Sequence, residues 1–502
     1  MLPRLGRTLS RFFRATAPDP FVLAIVLTAV VFGWAWLATP AGFGDVVDAW
    51  QGGFWNLLAF AMQMSLILVT GHALASSPPV SKAIGGLASA PRTPRQAVAL
   101  TAGVAMTAGL VNWGFGLIVG AILAREAADG LRRRGAAAPR GLLAAAGYTG
   151  MLVWHGGLSG SAPLDAASPG ALESKLGGDL ALDVAQLAAE HANAAGPIQP
   201  MTAANAADAV LPLTQTVATS HNLLVTGGVM AIALVILVGM CPKTGRDDQR
   251  SRPASTGDPH APPAATERNR LSEPTAAHTE AEPPRQNADD RQSPAVRFLE
   301  RNGAVVWLIV GPALGWLALR FVEQGFDALN LNTVNLLFLT VGLALHGSAR
   351  SYGAAVEDAV KGCAGIIIQF PLYAGIMGVM TATGLAAMVS GWFVSLAGES
   401  ESLLRVLTFL SAGLVNLFVP SGGGQWAVQG PIAMDAVTQL GGDPARTLMA
   451  IAYGDQLTNM LQPFWALPLL AITRAKAGEV VGYTAVVMIA AGLWIALMLA
   501  LG

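Results

Sequence analysis

The sequence predicts an all-α polytopic membrane protein built as two inverted repeats, each with a re-entrant helical hairpin and broken helices. Three observations carry that prediction. Charge is absent over helix-length blocks, a short motif recurs in the two halves, and glycine-rich breaks interrupt apolar runs. Of 502 residues, 53% are hydrophobic and 12% charged, against about a quarter charged in an ordinary soluble domain. Mean hydropathy is +0.51. Runs such as 20–44, 49–81, 96–124, 141–164, 209–242, 362–398, 406–434, 447–473 and 480–502 are free or nearly free of charge. About 20 apolar residues in a helix cross a hydrocarbon core of about 30 Å. Lipid offers the backbone no partners, so these runs should be helical wherever they face it.

The same composition removes several function classes. A net charge of −1 provides no basic field for nucleic acid. Cys241 and Cys363 cannot build a disulfide framework, and no Cys/His spacing suggests a metal, so no cofactor is expected. No phosphate-binding G-x-x-x-x-G-K-[ST] run appears, nor a hydrolase-type HExxH or GxSxG, so the chain is not expected to be an enzyme.

Positive charge sets the topology, because lysine and arginine favour the cytoplasmic side. Arg4, Arg7, Arg11 and Arg14 put the N-terminus inside, ahead of a retained first span from Phe21. Asp45 and Asp48 lie outside; Lys82, Arg92 and Arg95 lie inside. Run 96–124 is basic on both flanks, ending at Arg125 and followed by Arg132 to Arg134 and Arg140. A hairpin that enters and leaves on the cytoplasmic side fits; a single crossing is the alternative. The acidic stretch 165–208 belongs outside. Segment 221–240 then returns to Lys243, Arg246, Arg250 and Arg252 inside. Residues 243–300, rich in Pro, Ala, Arg and acids, read as a disordered cytoplasmic linker between membrane repeats 1–242 and 301–502.

AGLVN occurs at 108–112 and again at 412–416, and RGLLAAA at 140–146 is echoed by RTLMAIA at 446–452. An added span at 332–349 would reverse everything after it, so the second hairpin, 402–440, should enter from outside. Arg405 and Arg446 then fall on the outer side, against the charge rule. Paired hairpins of opposite orientation describe an architecture common among secondary transporters.

Two stretches cannot continue as helix easily: Trp154–Pro163, with three glycines and a proline, and Val419–Trp426, with Pro420 and Gly422, Gly423 and Gly424 in a row. Ser421, these glycines and Gln425 open the second hairpin arm, where free N–H groups and the helix dipole suit a carboxylate. Close helix packing is the other reading of the glycines. Ser159 and Ser161 offer hydroxyls in the first break, and Asn112 and Asn416 sit at equivalent repeat positions near the hairpin tips. Asp455 is the only ionisable residue between Arg446 and Arg474. An acid at bilayer depth costs at least about 2.5–3.5 kcal/mol and usually serves a cavity or a cation. Asp455, Thr458, Asn459 and Gln462 have the spacing of one helical face. Asp455, Thr458 and Asn459 could hold Na⁺, Asp455 or His155 could carry a proton, or all could be interhelical hydrogen bonding; His72 is a weaker candidate.

VPSGGGQWAVQGP at 419–431 and YGDQLTNMLQPFWALP at 453–468 resemble the C-terminal half of the short-chain fatty acid transporter family. The resemblance extends through Phe54–Ser76, Gly109–Gly120 and Gly147–Pro163, leaving out the linker. It implies uptake of acetoacetate, butyrate or similar monocarboxylates across a bacterial-type inner membrane. It also implies kinship with a superfamily of homodimeric carriers in which a transport domain, here 96–163 and 402–472, moves against a scaffold with a coupled Na⁺ or H⁺. Another carboxylate carrier or a cation/proton antiporter of the same architecture is the alternative, with a membrane-embedded enzyme further off.

Overall fold

A computed structural model describes residues 2–16, 18–136, 139–168, 170–192, 209–242, 293–328 and 331–502. Among the described residues every regular element is helical. Six helices are long and apolar enough to cross a membrane. Their outward faces carry large apolar side chains, among them Leu37, Leu308 and Val322, as a lipid-facing surface requires. The chain is thus a multi-pass membrane protein.

One order of helices occurs twice. Each half begins with an amphipathic helix, Leu2–Thr16 or Pro294–Arg301. A long apolar helix follows, Pro20–Ala38 or Gly303–Gln324, then a 12-residue helix, Phe43–Phe54 or Ala349–Val360. Next come a 19-residue helix, Leu58–Ser76 or Ala364–Ala382, and a shorter one, Pro78–Ser89 or Leu385–Ala397. The hairpins are Pro94–Val111 with Trp113–Arg133, and Glu401–Asn416 with Gly422–Leu440. Arg140–Tyr148 and Pro444–Thr458 lead from the hairpins into 3₁₀ turns, then Ser161–Ala166 and Pro463–Thr473. Ser220–Met240 and Ala477–Leu501 close the halves. Leu331–His346 of the second half has no counterpart, and neither do Ala171–Leu176 and Gly178–His191 of the first.

Contacts between the halves are exchanged in pairs. Phe43–Phe54 packs on Ala364–Ala382, and Ala349–Val360 packs on Leu58–Ser76. Trp113–Arg133 packs on Pro463–Thr473, and Gly422–Leu440 packs on Ser161–Ala166. Some elements meet their own equivalents: two of the 3₁₀ turns touch, and so do the two closing helices. Glycines keep the repeat close-packed at matching places. A Cβ on Gly109 would stand 2.7 Å from the Gly150 carbonyl oxygen, and one on Gly454 would stand 2.8 Å from the Gly413 nitrogen. Real Cβ atoms do not approach so closely, so both contacts demand glycine.

Several sequence expectations change. Runs 49–81 and 362–398 are not single spans. The first is interrupted at Trp55–Leu57 and Ser77, the second at Thr383–Gly384, where Gly384 takes a φ of +73°. Ser77 stands before Pro78 and Pro79, which a continuous helix tolerates poorly, whereas Trp55–Leu57 and Thr383–Gly384 lie in apolar runs whose pattern does not change. The expected linker 243–300 is shortened at its end, because Pro294–Arg301 is a helix capped by Ser293 Oγ; residues 243–292 lie outside the described residues, as do 193–208 of the acidic stretch. The N-terminal arginines lie on a helix that packs against Ala477–Leu501, with Ser10 Oγ donating to the Glu479 carbonyl at 3.4 Å.

The two arginines that broke the charge rule are both paired. Arg405, 4% exposed, pairs with Glu401, and its Nε donates to the Leu499 carbonyl at 3.2 Å. It thereby meets the negative end of the closing helix. Arg446 pairs with Asp443 at 3.2 Å.

Candidate functional site

The two broken helices and the second hairpin tip converge on one buried polar cluster. Pro444–Thr458 begins with Asp443 as its cap, accepting from the Ala445 and Arg446 N–H groups, and ends where Asn459–Leu461 tightens to 3₁₀ and Gln462 extends. The helical face expected for Asp455, Thr458, Asn459 and Gln462 is therefore broken before its last member. Asn416 gathers these residues instead. Its Nδ2 donates to the Asp455 carbonyl at 2.7 Å, Thr458 Oγ1 at 3.0 Å and Asn459 Oδ1 at 3.0 Å. Gln462 Nε2 donates to the Asn416 carbonyl at 2.5 Å. Tyr148, from the first half, donates to the Asn459 carbonyl at 2.9 Å.

Asp455 faces two ways. Its carbonyl joins the Asn416 cluster, and its carboxylate lies 3.8 Å from His155 Nε2, with both side chains buried. The His155 N–H donates to Gln456 Oε1 at 3.0 Å, fastening the first break to the second half. Gly422 closes the group: a Cβ there would stand 2.6 Å from His155 Nε2 and 3.2 Å from the Ser161 Cβ. The N-terminus of Gly422–Leu440 thus lies against His155 and Ser161. Ser421 Oγ accepts from Gly424 N–H at 3.3 Å and the Ser421 carbonyl accepts from Gln425 N–H, leaving the N–H groups of Gly422 and Gly423 at the helix end.

Many polar atoms here make no hydrogen bond to the protein: Asp455 Oδ2, both His155 ring nitrogens, Gln456 Nε2, Asn459 Nδ2 and Gln462 Oε1. Each buried, unmatched polar group costs roughly 1–3 kcal/mol. These unmatched groups lie together where the two breaks and the second hairpin tip meet. No group of three or more His, Cys, Asp and Glu side chains suits a metal ion among the described residues.

Other expected residues serve the hairpins themselves. Asn112 Oδ1 accepts from Phe115 N–H at 3.0 Å, capping the second arm, and Ser159 Oγ accepts from Trp113 N–H at 2.9 Å. Asn112 and Asn416, equivalent in sequence, make different contacts, because the first hairpin turns in one residue and the second in five. The first tip adjoins the His155 break through rings, Trp113 to Trp154 at 6.1 Å and Trp154 to His155 at 3.6 Å, and through the Leu158 N–H donating to the Leu110 carbonyl at 2.7 Å. Gln425 points into its own hairpin, with Nε2 donating to the Ala412 carbonyl at 2.8 Å and to Gln429 Oε1 at 2.7 Å. His72 stands apart, 3.5 Å from Asp358. Sequence reasoning missed Gln456, Tyr148 and Asn222. Asn222 accepts from Tyr453 Oη at 2.8 Å and donates to the Gly156 carbonyl at 2.9 Å. Its signal was legible, since it is the lone amide in the apolar helix Ser220–Met240.

With this geometry in place, relatives decide the family. The profile of the short chain fatty acid transporter family matches residues 1–501. The chain belongs to the short-chain fatty acid transporter family. A relative from Escherichia coli (strain K12), provisionally named a short-chain fatty acid transporter, is 36% identical over 98% of both chains. One from Haemophilus influenzae (strain ATCC 51907 / DSM 11121 / KW20 / Rd), with the same provisional name, is 35% identical over 96% of both. Among solved structures, the YdaH transporter of Alcanivorax borkumensis covers 96% of this chain, with 98% of its own chain matched, at 14% identity and a TM-score of 0.39. That likeness is too loose to carry an argument. Membership makes the chain a transporter rather than an enzyme.

Asn416→Ala is expected to leave the Asp455 carbonyl, Thr458 Oγ1 and Asn459 Oδ1 without their shared donor. At about 1–3 kcal/mol for a buried acceptor left unmatched, thermal unfolding in detergent should shift down by several degrees. An unchanged melting temperature would mean that Asn416 does not hold the break together.

Proposed function

We infer that this transporter takes up short-chain fatty acids such as acetoacetate and butyrate with a coupled cation, in an elevator-like movement of its hairpins and broken helices. The observation that supports this most directly is the juxtaposition of His155, the Asp455 carboxylate and the Gly422–Gly423 helix end inside the protein. A carboxylate bound there meets backbone N–H groups and the positive end of a helix dipole. Ser161 lies beside it, while Asn112, Ser159, Ser421 and Gln425 hold the surrounding loops in shape. Neutralising the bound charge lowers the cost of carrying it past lipid.

A proton is the better match for the coupling ion. The Asp455 carboxylate has His155 as its ionisable neighbour. The oxygens of Asp455, Thr458 and Asn459 that would suit Na⁺ converge instead on the Asn416 amide NH₂. The Na⁺ reading keeps one observation in its favour. Turning that amide over would add Asn416 Oδ1 to three oxygens already gathered, a set suited to a hard cation.

The carrier reading further holds that the N-terminus faces the cytoplasm of a bacterial-type inner membrane. It also holds that the halves are oppositely oriented, consistent with the exchanged contacts, and that two copies assemble through scaffold helices near 20–38, 221–240, 303–349 and 479–501. Labelled butyrate uptake into proteoliposomes, with pH and Na⁺ gradients imposed separately, tests the function. Accumulation driven by the pH gradient alone supports the proton reading, and accumulation driven by Na⁺ alone supports the other. No uptake of any short carboxylate under either gradient overturns the assignment.

A further inference from the structure

A cavity of about 300 Å³ lies at the opposite ends of the helices that lead to the central cluster. Its walls come from the end of Trp113–Arg133, the start of Arg140–Tyr148 and the end of Pro463–Thr473. Arg140–Tyr148 ends where the first break begins, and Pro463–Thr473 starts beside Gln462. At 1.5 Å per residue the two positions are roughly 15 Å apart along these helices.

Four arginines line this cavity, Arg125, Arg132, Arg140 and Arg474, against one acid, Asp129. Asp129 pairs with Arg132 and lies 4.0 Å from Arg140, and Arg125 pairs with Glu126 at 3.1 Å. Arg474 makes no salt bridge among the described residues; Asp358, an opposing charge that feels it, is paired with Lys361 at 3.1 Å. Cationic charge therefore exceeds its partners. Arg474 is also the one non-glycine residue with positive φ among the described residues, at +55°. It stands at a helix C-terminus where glycine is the ordinary choice. The backbone geometry favours glycine, so the arginine stands there at a conformational cost. The remaining wall includes Ala124, Ala128 and Ala144, a short apolar surface beside the charges.

The geometry points to a carboxylate-binding vestibule: the arginine-lined cavity holds the transported short-chain carboxylate as it enters or leaves the central cluster from that side. The carboxylate group meets Arg140 and Arg474 through charge-assisted hydrogen bonds, and its short alkyl part lies on the alanines. The inference rests on the transport reading given above. An anionic lipid headgroup offers similar charge, but the cavity shares its helices with the central cluster, which favours the substrate as the source.

Arg474→Gly suits the test because glycine accepts the existing backbone conformation, so folding is not the expected casualty. Butyrate transport is measured from each face in proteoliposomes whose orientation is read by an impermeant maleimide on an Arg133→Cys background, with Cys241 and Cys363 buried. The variant should raise KM about tenfold from the arginine side, the loss of one charged contact. KM from the other side and Vmax should stay within about twofold, the melting temperature should be equal or higher, and Arg474→Lys should recover most of the loss. An unchanged KM on the arginine side, or an equal rise on both sides, overturns the vestibule. So does a KM that depends on cardiolipin in the wild type and not in Arg474→Gly, which assigns the cavity to a lipid phosphate. Failure of the wild type to move any short carboxylate removes the transport reading and the vestibule together. Wild-type transport with an insensitive KM removes the vestibule alone.

Discussion

Asp455→Asn is expected to abolish concentrative uptake while leaving the fold intact. The amide has the size of the carboxylate it replaces. Asp455 Oδ2 makes no hydrogen bond and the side chain is buried beside His155 at 3.8 Å, so little native bonding is lost. A permanent neutral group there cannot take up and release a proton, nor lend negative charge to a cation. The coupling of substrate to gradient should disappear, whereas the helix end at Gly422, the proposed carboxylate seat, is untouched. Labelled butyrate inside proteoliposomes should rise only to the outside concentration, with exchange at equilibrium retained and the melting temperature in detergent unchanged or slightly raised. Normal accumulation by the variant would sink the assignment of Asp455 as the coupling group, whichever cation is involved.

The second large effect is expected from Gly422→Ala. The new methyl would stand 2.6 Å from His155 Nε2 and 2.9 Å from its Cε1, and the ring is backed by Trp154 with centroids 3.6 Å apart. Something must move, and the hairpin tip and the first break are forced apart. Overpacking of this kind costs about 1–3 kcal/mol, offset in part by alanine's better helix propensity, worth up to about 1 kcal/mol. Stability should therefore change modestly, while butyrate affinity falls at least about tenfold, because the contact between helix end and imidazole sets the shape of the proposed carboxylate seat beside it. Gly423→Ala is the matched control. The same change one residue on meets nothing within 4 Å and should leave KM near the wild-type value. Similar kinetics for both variants, either both impaired or both normal, would show that the Gly422–His155 contact does not form the seat.

Much of the fold was legible in the chain because lipid is an unforgiving solvent. Charge-free runs at 20–44, 209–242 and 480–502 correspond to Pro20–Ala38, Ser220–Met240 and Ala477–Leu501. The hairpin turns fall at Asn112 and at Leu417–Ser421, inside the runs where motif and charge indicated them. Breaks marked by glycine and proline were also local facts. The interruption at Trp55–Leu57 was not, because it lies within one long charge-free run, and Trp55 there is exposed as a lipid-facing helix residue would be. Nor was the amphipathic helix Leu2–Thr16, whose arginines were read only for their charge.

By itself the sequence determined that this protein lives in a membrane, that it carries two related halves, and that its polar residues cluster around a few breaks. Those properties depend on composition and short-range spacing, which water, lipid and backbone sterics act on directly. Only the tertiary structure decided which polar groups meet. Asn416 gathers Thr458, Asn459 and Gln462, the Asp455 carboxylate turns to His155, and Gln425 folds back into its hairpin. A side-chain amide or carboxylate reaches only a few ångströms. Its partner is therefore set by how separate helices dock, some within one half and some, as for His155 and Asp455, across the two, through glycine contacts and exchanged helix pairs that no local pattern records.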